Sequence, residues 1–195
     1  MNRNDPQNAE CDVAHALAEA GRQIDRTDAR ILLSYATGIT AVEIATYPER
    51  TLTPVGRSNF FALVARRECG EPIAYLTGMR EFYGRNFMVT PDVLIPRPET
   101  ELLVDTGLAR IAQILAPRIL DLGCGSGCIA ISLSLECPGS NVTAVDRSSA
   151  ALAVARHNAA TLGATLCCLE SDWYAALAGT RYHLIVANPP YVAAG

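Results

Sequence analysis

The segment Asp121-Leu-Gly-Cys-Gly-Ser-Gly127 restricts the fold more than any other part of the chain. It places three glycines within five residues, between an apolar stretch at 118–122 and a helix-forming run at 126–136 that stops at Pro138-Gly139. A strand that turns at once into a helix through glycines opens a βαβ crossover. The same alternation then repeats. Strands are predicted at 118–122, 141–145, 165–169 and 183–187, with a further helix capped by Ser148, running through His157 and ending near Gly163. Parallel neighbours need such crossovers, so the pattern predicts an α/β fold with a parallel, doubly wound sheet and helices on both faces.

Upstream of this region the texture is helical. Helices are predicted from Asp12 to Ala20, from Thr27 to Thr37 with Ile31, Leu32 and Leu33 on the apolar side, and from a Thr40/Glu43 capping box. Another starts at Thr53-Pro54 and runs past Phe60, Phe61 and Val64 to about Cys69. Residues 1–78 are expected to form a small helical domain. Residues 79–98 are expected to form a β-hairpin turning at Gly84-Arg85, then a connector held extended by Pro91, Pro96 and Pro98. From Glu99 the apolar residues Leu102, Leu103, Ile111, Ile114 and Leu115 return at helical spacing, opening a second domain over 99–195.

Charge and cysteine content narrow the function. The net charge is −4, with charged residues at 18%, which disfavours bulk binding to nucleic acid because duplex binders present a basic face. The seven cysteines form no CxxC pair and do not cluster with the three histidines. A disulfide framework or a metal site is therefore not expected. The polar start of the chain and the lack of any long apolar run predict a cytoplasmic protein without a membrane span. His157 and His183 are assigned no role.

The glycine loop carries the first chemistry. Glycines let a ligand approach the backbone, and the free N–H groups of the following helix attract an anionic group. Asp121, two residues before the first glycine, would repel a pyrophosphate but suits a cationic amino-acid ammonium. That favours S-adenosyl-L-methionine over a dinucleotide. Asp146, at the end of the second strand, can accept from both ribose hydroxyls. Asp172 and Trp173, after the third strand, can meet the adenine amine and ring. Each of these residues also has an ordinary structural reading when taken alone, as a strand-to-helix turn, a solvated acid or a core indole.

Asn188-Pro-Pro-Tyr191 follows the fourth strand and carries the second chemistry. Ligands in such sheets bind at the carboxyl ends of the strands. The Asn188 side-chain oxygen and the Pro189 carbonyl can accept the two protons of a planar NH2. Pro189 and Pro190 stiffen the backbone, and Tyr191 offers a flat face for stacking. Attack on an activated sulfonium needs no strong base, so the work lies in alignment and in excluding water.

With both motifs on the page, the chain resembles the N5-glutamine methyltransferases of peptide chain release factors (HemK-type). The resemblance is carried by 70–78 (GEPIAYLTG), 81–84 (EFYG), 94–101 (LIPRPETE), 121–125 (DLGCG), 171–173 (SDW) and 188–191 (NPPY). It implies a class I methyltransferase sheet, Rossmann-like, preceded by a helical substrate-recognition domain. It also implies S-adenosyl-L-methionine as cofactor and release factors as protein substrate, methylated on the glutamine of their Gly-Gly-Gln loop, by a monomer. Asp121, Leu122, Gly123, Cys124, Gly125, Asp146, Asp172 and Trp173 then belong to the cofactor site, which Asn188 borders. Asn188, Pro189, Pro190 and Tyr191 hold the amide, with Asn188, Pro189 and Tyr191 catalytic. Relatives of this kind continue for several more strands, so the sheet is expected to be C-terminally truncated. Two alternatives stand beside this reading: an adenine-N6 nucleic-acid methyltransferase, which uses the same tetrapeptide, and a cofactor-binding module without turnover. A dehydrogenase is opposed by the loop spacing and by Asp121. Arg97 and Glu99 read equally as part of a cover over the cofactor or as a surface salt pair.

Overall fold

The computed structural model describes residues 12–189. The chain divides into two compact units that meet in sequence at Thr77 and Gly78. The first is all-helical: α1 (Val13–Ala20), α2 (Arg26–Thr37), α3 (Ala41–Thr46), α4 (Pro54–Glu68) and α5 (Ile73–Thr77). Each of the first four starts on a side-chain cap. Asp12 accepts from His15 N, Asp25 from Thr27 N, and Thr53 from Gly56 N, while Thr40 and Glu43 close the capping box. Gly38 ends α2 at φ 72°, a left-handed value that glycine reaches without strain.

Val13, Leu32, Leu33, Ile44, Phe60, Val64 and Leu76 form the core of this unit. Ile31 departs from the expectation: it is 42% exposed, whereas Leu32 and Leu33 are fully buried. A helix turns about 100° per residue, so three consecutive side chains cannot share one face. Phe61 is half-buried on α4 under the Arg57 guanidinium, 6.0 Å from the ring centre. Arg67 on α4 pairs with Asp28 on α2 at 2.7 Å.

The second unit opens with a hairpin, β1 (Met79–Phe82) and β2 (Arg85–Met88). Phe82 pairs with Arg85, so the turn is Tyr83-Gly84 rather than the expected Gly84-Arg85. Both turn residues have positive φ, 52° and 70°, which matches the twist of a tight hairpin. Glycine takes such a φ freely and tyrosine does not. Tyr83 is held there by α6 (Glu101–Ile111): its N–H donates to Glu101 and its hydroxyl to Asp105. A single 3-10 turn at Pro98–Thr100 precedes α6. The helix stops at Ile111, so Ile114 and Leu115 lie beyond it, with Leu115 almost fully exposed.

The sheet follows as β3 (Arg118–Leu122), β4 (Asn141–Asp146), β5 (Cys167–Glu170) and β6 (Leu184–Ala187), with α7 (Cys128–Glu136) and α8 (Ser149–Leu162) as the crossovers. All pairings are parallel, in the order β5-β4-β3-β6. Helices do not cover both faces among the described residues. Val104, Ile111, Ile131, Leu133, Leu152 and Ala155 of α6, α7 and α8 pack with Ile119, Ala144 and Val186 on one face. Leu120, Leu122 and Val145 point the other way, as period-two alternation requires. Their cover comes from Leu177 and Tyr182 in the segment after β5. Phe82 and Phe87 of the hairpin belong to the helical face and are essentially buried.

Candidate active site

The strand order brings the candidate residues together. After β5 the chain crosses back to lie beside β3, so the loops leaving β3 and β6 flank a topological switch point. Leu122 is in register with Val145 on one side and Ala187 on the other. The next residues along these three strands, Asp146, Gly123 and Asn188, therefore leave neighbouring strands in one row, about 5 Å apart from strand to strand. Glu170 pairs with Asp146 and continues the row onto β5.

The glycines divide their labour. Gly123 and Gly125 have φ of 71° and 53°, and a Cβ on either would meet nothing within 4 Å. The space above them is open. A Cβ on Gly127 would lie 3.1 Å from both Ala155 Cβ and Ile131 Cδ1, so this glycine serves the packing of α7 against α8. The Gly123 and Cys124 N–H groups both donate to Val145 O at 2.9 Å. Asp146 accepts from Gly125 N through Oδ2 and from Ser148 N through Oδ1, each at 3.0 Å. Its carboxylate thus fastens the glycine loop and starts α8, in addition to any ligand it meets.

Asp121 lies behind the loop and is 1% exposed. Gly127 caps α7 without a side chain, and Asp121 Oδ2 takes over part of that task by accepting from Ala130 N at 3.2 Å. Its Oδ1 is buried without a hydrogen-bond partner. Burial pushes the Asp121 carboxyl up to about 7, the Ala130 N–H opposes the shift, and the nearby Asp146 charge adds to it. The neighbouring thiols of Cys124 and Cys128 are also buried and pushed up, Cys128 to about 12, so both are protonated and inert as nucleophiles.

The segment after β5 is built around Ser171, which is nearly buried. Its hydroxyl donates to Trp173 O and accepts from Ala176 N, both at 3.0 Å. This holds Trp173 at φ 49°, a conformation that is costly for a large side chain. Asp172 and Ser171 join Arg147, Glu170, Ala175 and Ala176 around a shallow cleft of about 450 Å³. Trp173 is 56% exposed and does not line that cleft.

On the other side of the loop, Asn188 and Pro189 are half-buried. The Asn188 carboxamide donates from Nδ2 to the Thr100 hydroxyl at 3.1 Å. Pro190 and Tyr191 lie outside the described residues. Arg97 and Glu99 are both exposed, and among the described residues neither joins an ion pair.

Two residues near the site had no role in the sequence reading. Thr100 sits inside the proline-rich motif but reads there as connector. Asn158 is 2% exposed on α8. It accepts from Met88 N at 2.8 Å and donates to Met88 O and to Ser126 O at 3.0 and 2.9 Å, tying the hairpin edge to the glycine loop. The signal for Asn158 was present: it continues the buried stripe Ala151–Ala155 at helical spacing, where an amide must find partners.

The Methyltransferase small domain family matches residues 99–195, and the PrmC N-terminal domain family matches residues 12–78. A release factor glutamine methyltransferase of Salmonella typhimurium is 46% identical over 187 residues, covering 93% of this chain and 67% of the relative. The chain belongs to the release factor glutamine methyltransferase family. The relative of that name from Burkholderia pseudomallei is 54% identical over 177 residues, covering 87% of this chain and 62% of its own length. The Escherichia coli relative is 45% identical, covering 91% and 66%. The chain thus spans about two thirds of the length of such family members. Among solved structures, a Thermus thermophilus 16S rRNA N2 G1207 methyltransferase in complex with AdoMet and guanosine superposes with a TM-score of 0.51 at 24% identity, covering 60% of this chain and 33% of that one. The two chains share the α/β methyltransferase fold.

Proposed function

We propose that this chain carries the cofactor site and acceptor pocket of an S-adenosyl-L-methionine-dependent enzyme that methylates the side-chain amide nitrogen of glutamine in a peptide chain release factor. The observation that carries the reading is the row Asp146, Gly123, Asn188 at the carboxyl end of the sheet, with open space beside Gly123 and Gly125.

The residues present fit the cofactor. Open space above Gly123 and Gly125 admits a ligand to the backbone. The Asp121 carboxyl, with its unpartnered buried oxygen, lies beneath that loop, and a cationic amino-acid group brought to the loop favours its ionised form. Asp146 retains lone pairs beyond the two backbone bonds it accepts, which suits ribose hydroxyls. Asp172 borders the adjoining cleft and is the candidate partner of the adenine amine. Leu122 and Cys124 contribute backbone to the loop, and Trp173 is assigned to the rim of the site.

S-adenosyl-L-methionine, when bound, supplies a methyl group on a sulfonium that is already a good leaving group. The chain's own residues bind and orient the acceptor. An amide nitrogen is a poor nucleophile because its lone pair is delocalised into the carbonyl. Asn188 Oδ1 and the Pro189 carbonyl accept hydrogen bonds from its two N–H groups, which localises electron density on nitrogen and fixes its direction of approach; one of these protons leaves to water as the methylated amide returns to neutrality. Pro190 and Tyr191 are assigned to stiffening the loop and stacking on the amide plane.

The helical unit is assigned to recognition of the release factor. Its surface carries a groove of about 410 Å³ between α2 and α4, lined by Tyr35, Ala36, Asn59, Ala62, Leu63 and Arg66. Among the described residues no helix is long and apolar enough to cross a membrane.

The test is incubation with methyl-labelled cofactor and either a release factor or adenine-containing DNA, followed by mass spectrometry of the products. Label on the glutamine of the Gly-Gly-Gln loop is the expected result. Label on adenine N6 with none on the release factor refutes it.

A further inference from the structure

We propose that Thr100 is a positioning residue for the acceptor pocket, and that its hydroxyl holds the Asn188 carboxamide in the place from which it meets the substrate amide. The inference rests on the function proposed above and concerns a residue outside the Asn188–Tyr191 motif.

The carboxamide of an asparagine rotates about a broad, roughly two-fold torsion, and its two orientations differ only in where oxygen and nitrogen lie. For a pocket that must accept an N–H the difference is decisive. With Oδ1 toward the substrate the contact is a hydrogen bond; with Nδ2 there, two donors face each other. A pocket of this kind therefore needs its carboxamide held against rotation. Thr100 Oγ1 lies 3.1 Å from Nδ2 and accepts from it. In this arrangement Nδ2 is engaged as the donor, and the bond resists rotation of the carboxamide.

Thr100 is well placed to hold the carboxamide because it is itself immobilised. It is 7% exposed and closes the 3-10 turn, donating its N–H to Arg97 O at 3.0 Å. α6 begins at the next residue. That helix is held to the hairpin turn by the Tyr83 bonds to Glu101 and Asp105, and against β6 at Gly107, where a Cβ would come within 3.0 Å of Leu184. β6 in turn ends at Ala187, directly before Asn188. The hydroxyl and the carboxamide are therefore presented to each other by two packed elements. The chemistry also explains the residue type: serine keeps the hydroxyl, valine keeps the shape, and only threonine supplies both in a nearly buried place.

The experiment compares Thr100→Val and Thr100→Ser with the parent protein in three measurements. The first is the side-chain amide of Asn188 in 15N-labelled protein. One Nδ2 proton is expected to be protected from exchange in the parent and in Thr100→Ser, and to lose that protection in Thr100→Val. The second is methyl transfer to release factor, where kcat is expected to fall about tenfold in Thr100→Val, the scale of one lost hydrogen bond and partial misorientation, and to recover in Thr100→Ser. The third is the cofactor dissociation constant, expected to stay within about twofold in both, as binding away from Thr100 requires. Unchanged Asn188 amide signals in Thr100→Val overturn the proposal. So does equal loss of kcat in both variants accompanied by weakened cofactor binding, which would make Thr100 a packing residue. A parent protein that methylates no release factor refutes the proposed function, while the amide signals still decide whether Thr100 holds Asn188.

Discussion

Asp121→Asn isolates a single titration whose sign and size follow from the structure. The carboxyl moves from 3.8 in its ordinary setting to about 7 in the folded protein, chiefly through burial. The native state therefore keeps a proton that the unfolded chain gives up between these two values. The group's contribution to stability is complete below pH 3.8 and is lost as pH rises through 7. Across that window each pH unit costs about 1.36 kcal/mol, so a window of roughly three pH units amounts to about 4 kcal/mol by pH 8. An amide at this position keeps the bond from Ala130 N but does not titrate. The assay is urea unfolding at pH 5, 6, 7 and 8, followed by the fluorescence of Trp173, the one tryptophan of the chain, which lies in the same unit as Asp121. Carboxylates held below their ordinary values, such as Asp25 and Glu71, are common to both proteins and cancel in the difference. The substituted protein carries a constant offset from its unpartnered buried amide, so only the slope of the difference matters. Relative to the parent, the variant is expected to gain about 1 kcal/mol per pH unit from pH 5 to 7 and to level off above. A difference curve flat from pH 5 to 8 would show that Asp121 is ionised throughout and that the loop sits over a permanent charge.

The remaining expectations address the pocket and its scaffold. Asn188→Ala should abolish methyl transfer while cofactor binding, measured by titration calorimetry, largely persists; loss of both together would make Asn188 structural. Asp146→Ala should weaken cofactor binding before any other step. Because it strands the N–H groups of Gly125 and Ser148, it should also cost about 1–3 kcal/mol in urea unfolding; normal cofactor affinity in that variant would remove Asp146 from the site. Asn158→Ala leaves Met88 N, Met88 O and Ser126 O without their partner, and a loss of about 3 kcal/mol is expected. A loss below about 0.5 kcal/mol, the level of an ordinary surface change, would mean that water replaces the amide and that hairpin and loop are not coupled through it.

Local signals carried far in this chain because its elements begin and end on short-range chemistry. The capping box at Thr40, the proline after Thr53 and the left-handed Gly38 are each satisfied within a turn of helix, so the sequence locates them. Failures came where local rules leave two answers. Whether Gly84 opens or closes the hairpin turn depends on Tyr83 being held at positive φ by Glu101 and Asp105, 18 and 22 residues away. Ile31 is as apolar as Leu32 and Leu33, and only the direction of the core settles that it faces out.

The sequence by itself determined the α/β alternation, the turn at the glycine loop and the chemical character of the groups at the strand ends, because each is written in residues adjacent along the chain. Tertiary structure alone decided how those groups meet. The return of the chain from β5 to the side of β3 brings Asn188 level with Gly123. The packing of α7 over β3 buries Asp121 and pushes its carboxyl up. The seating of α6 against β6 sets Thr100 on the Asn188 carboxamide, 88 residues along the chain. These are contacts between distant segments. Their energies depend on burial and on strand register, and neither quantity exists until the sheet has formed.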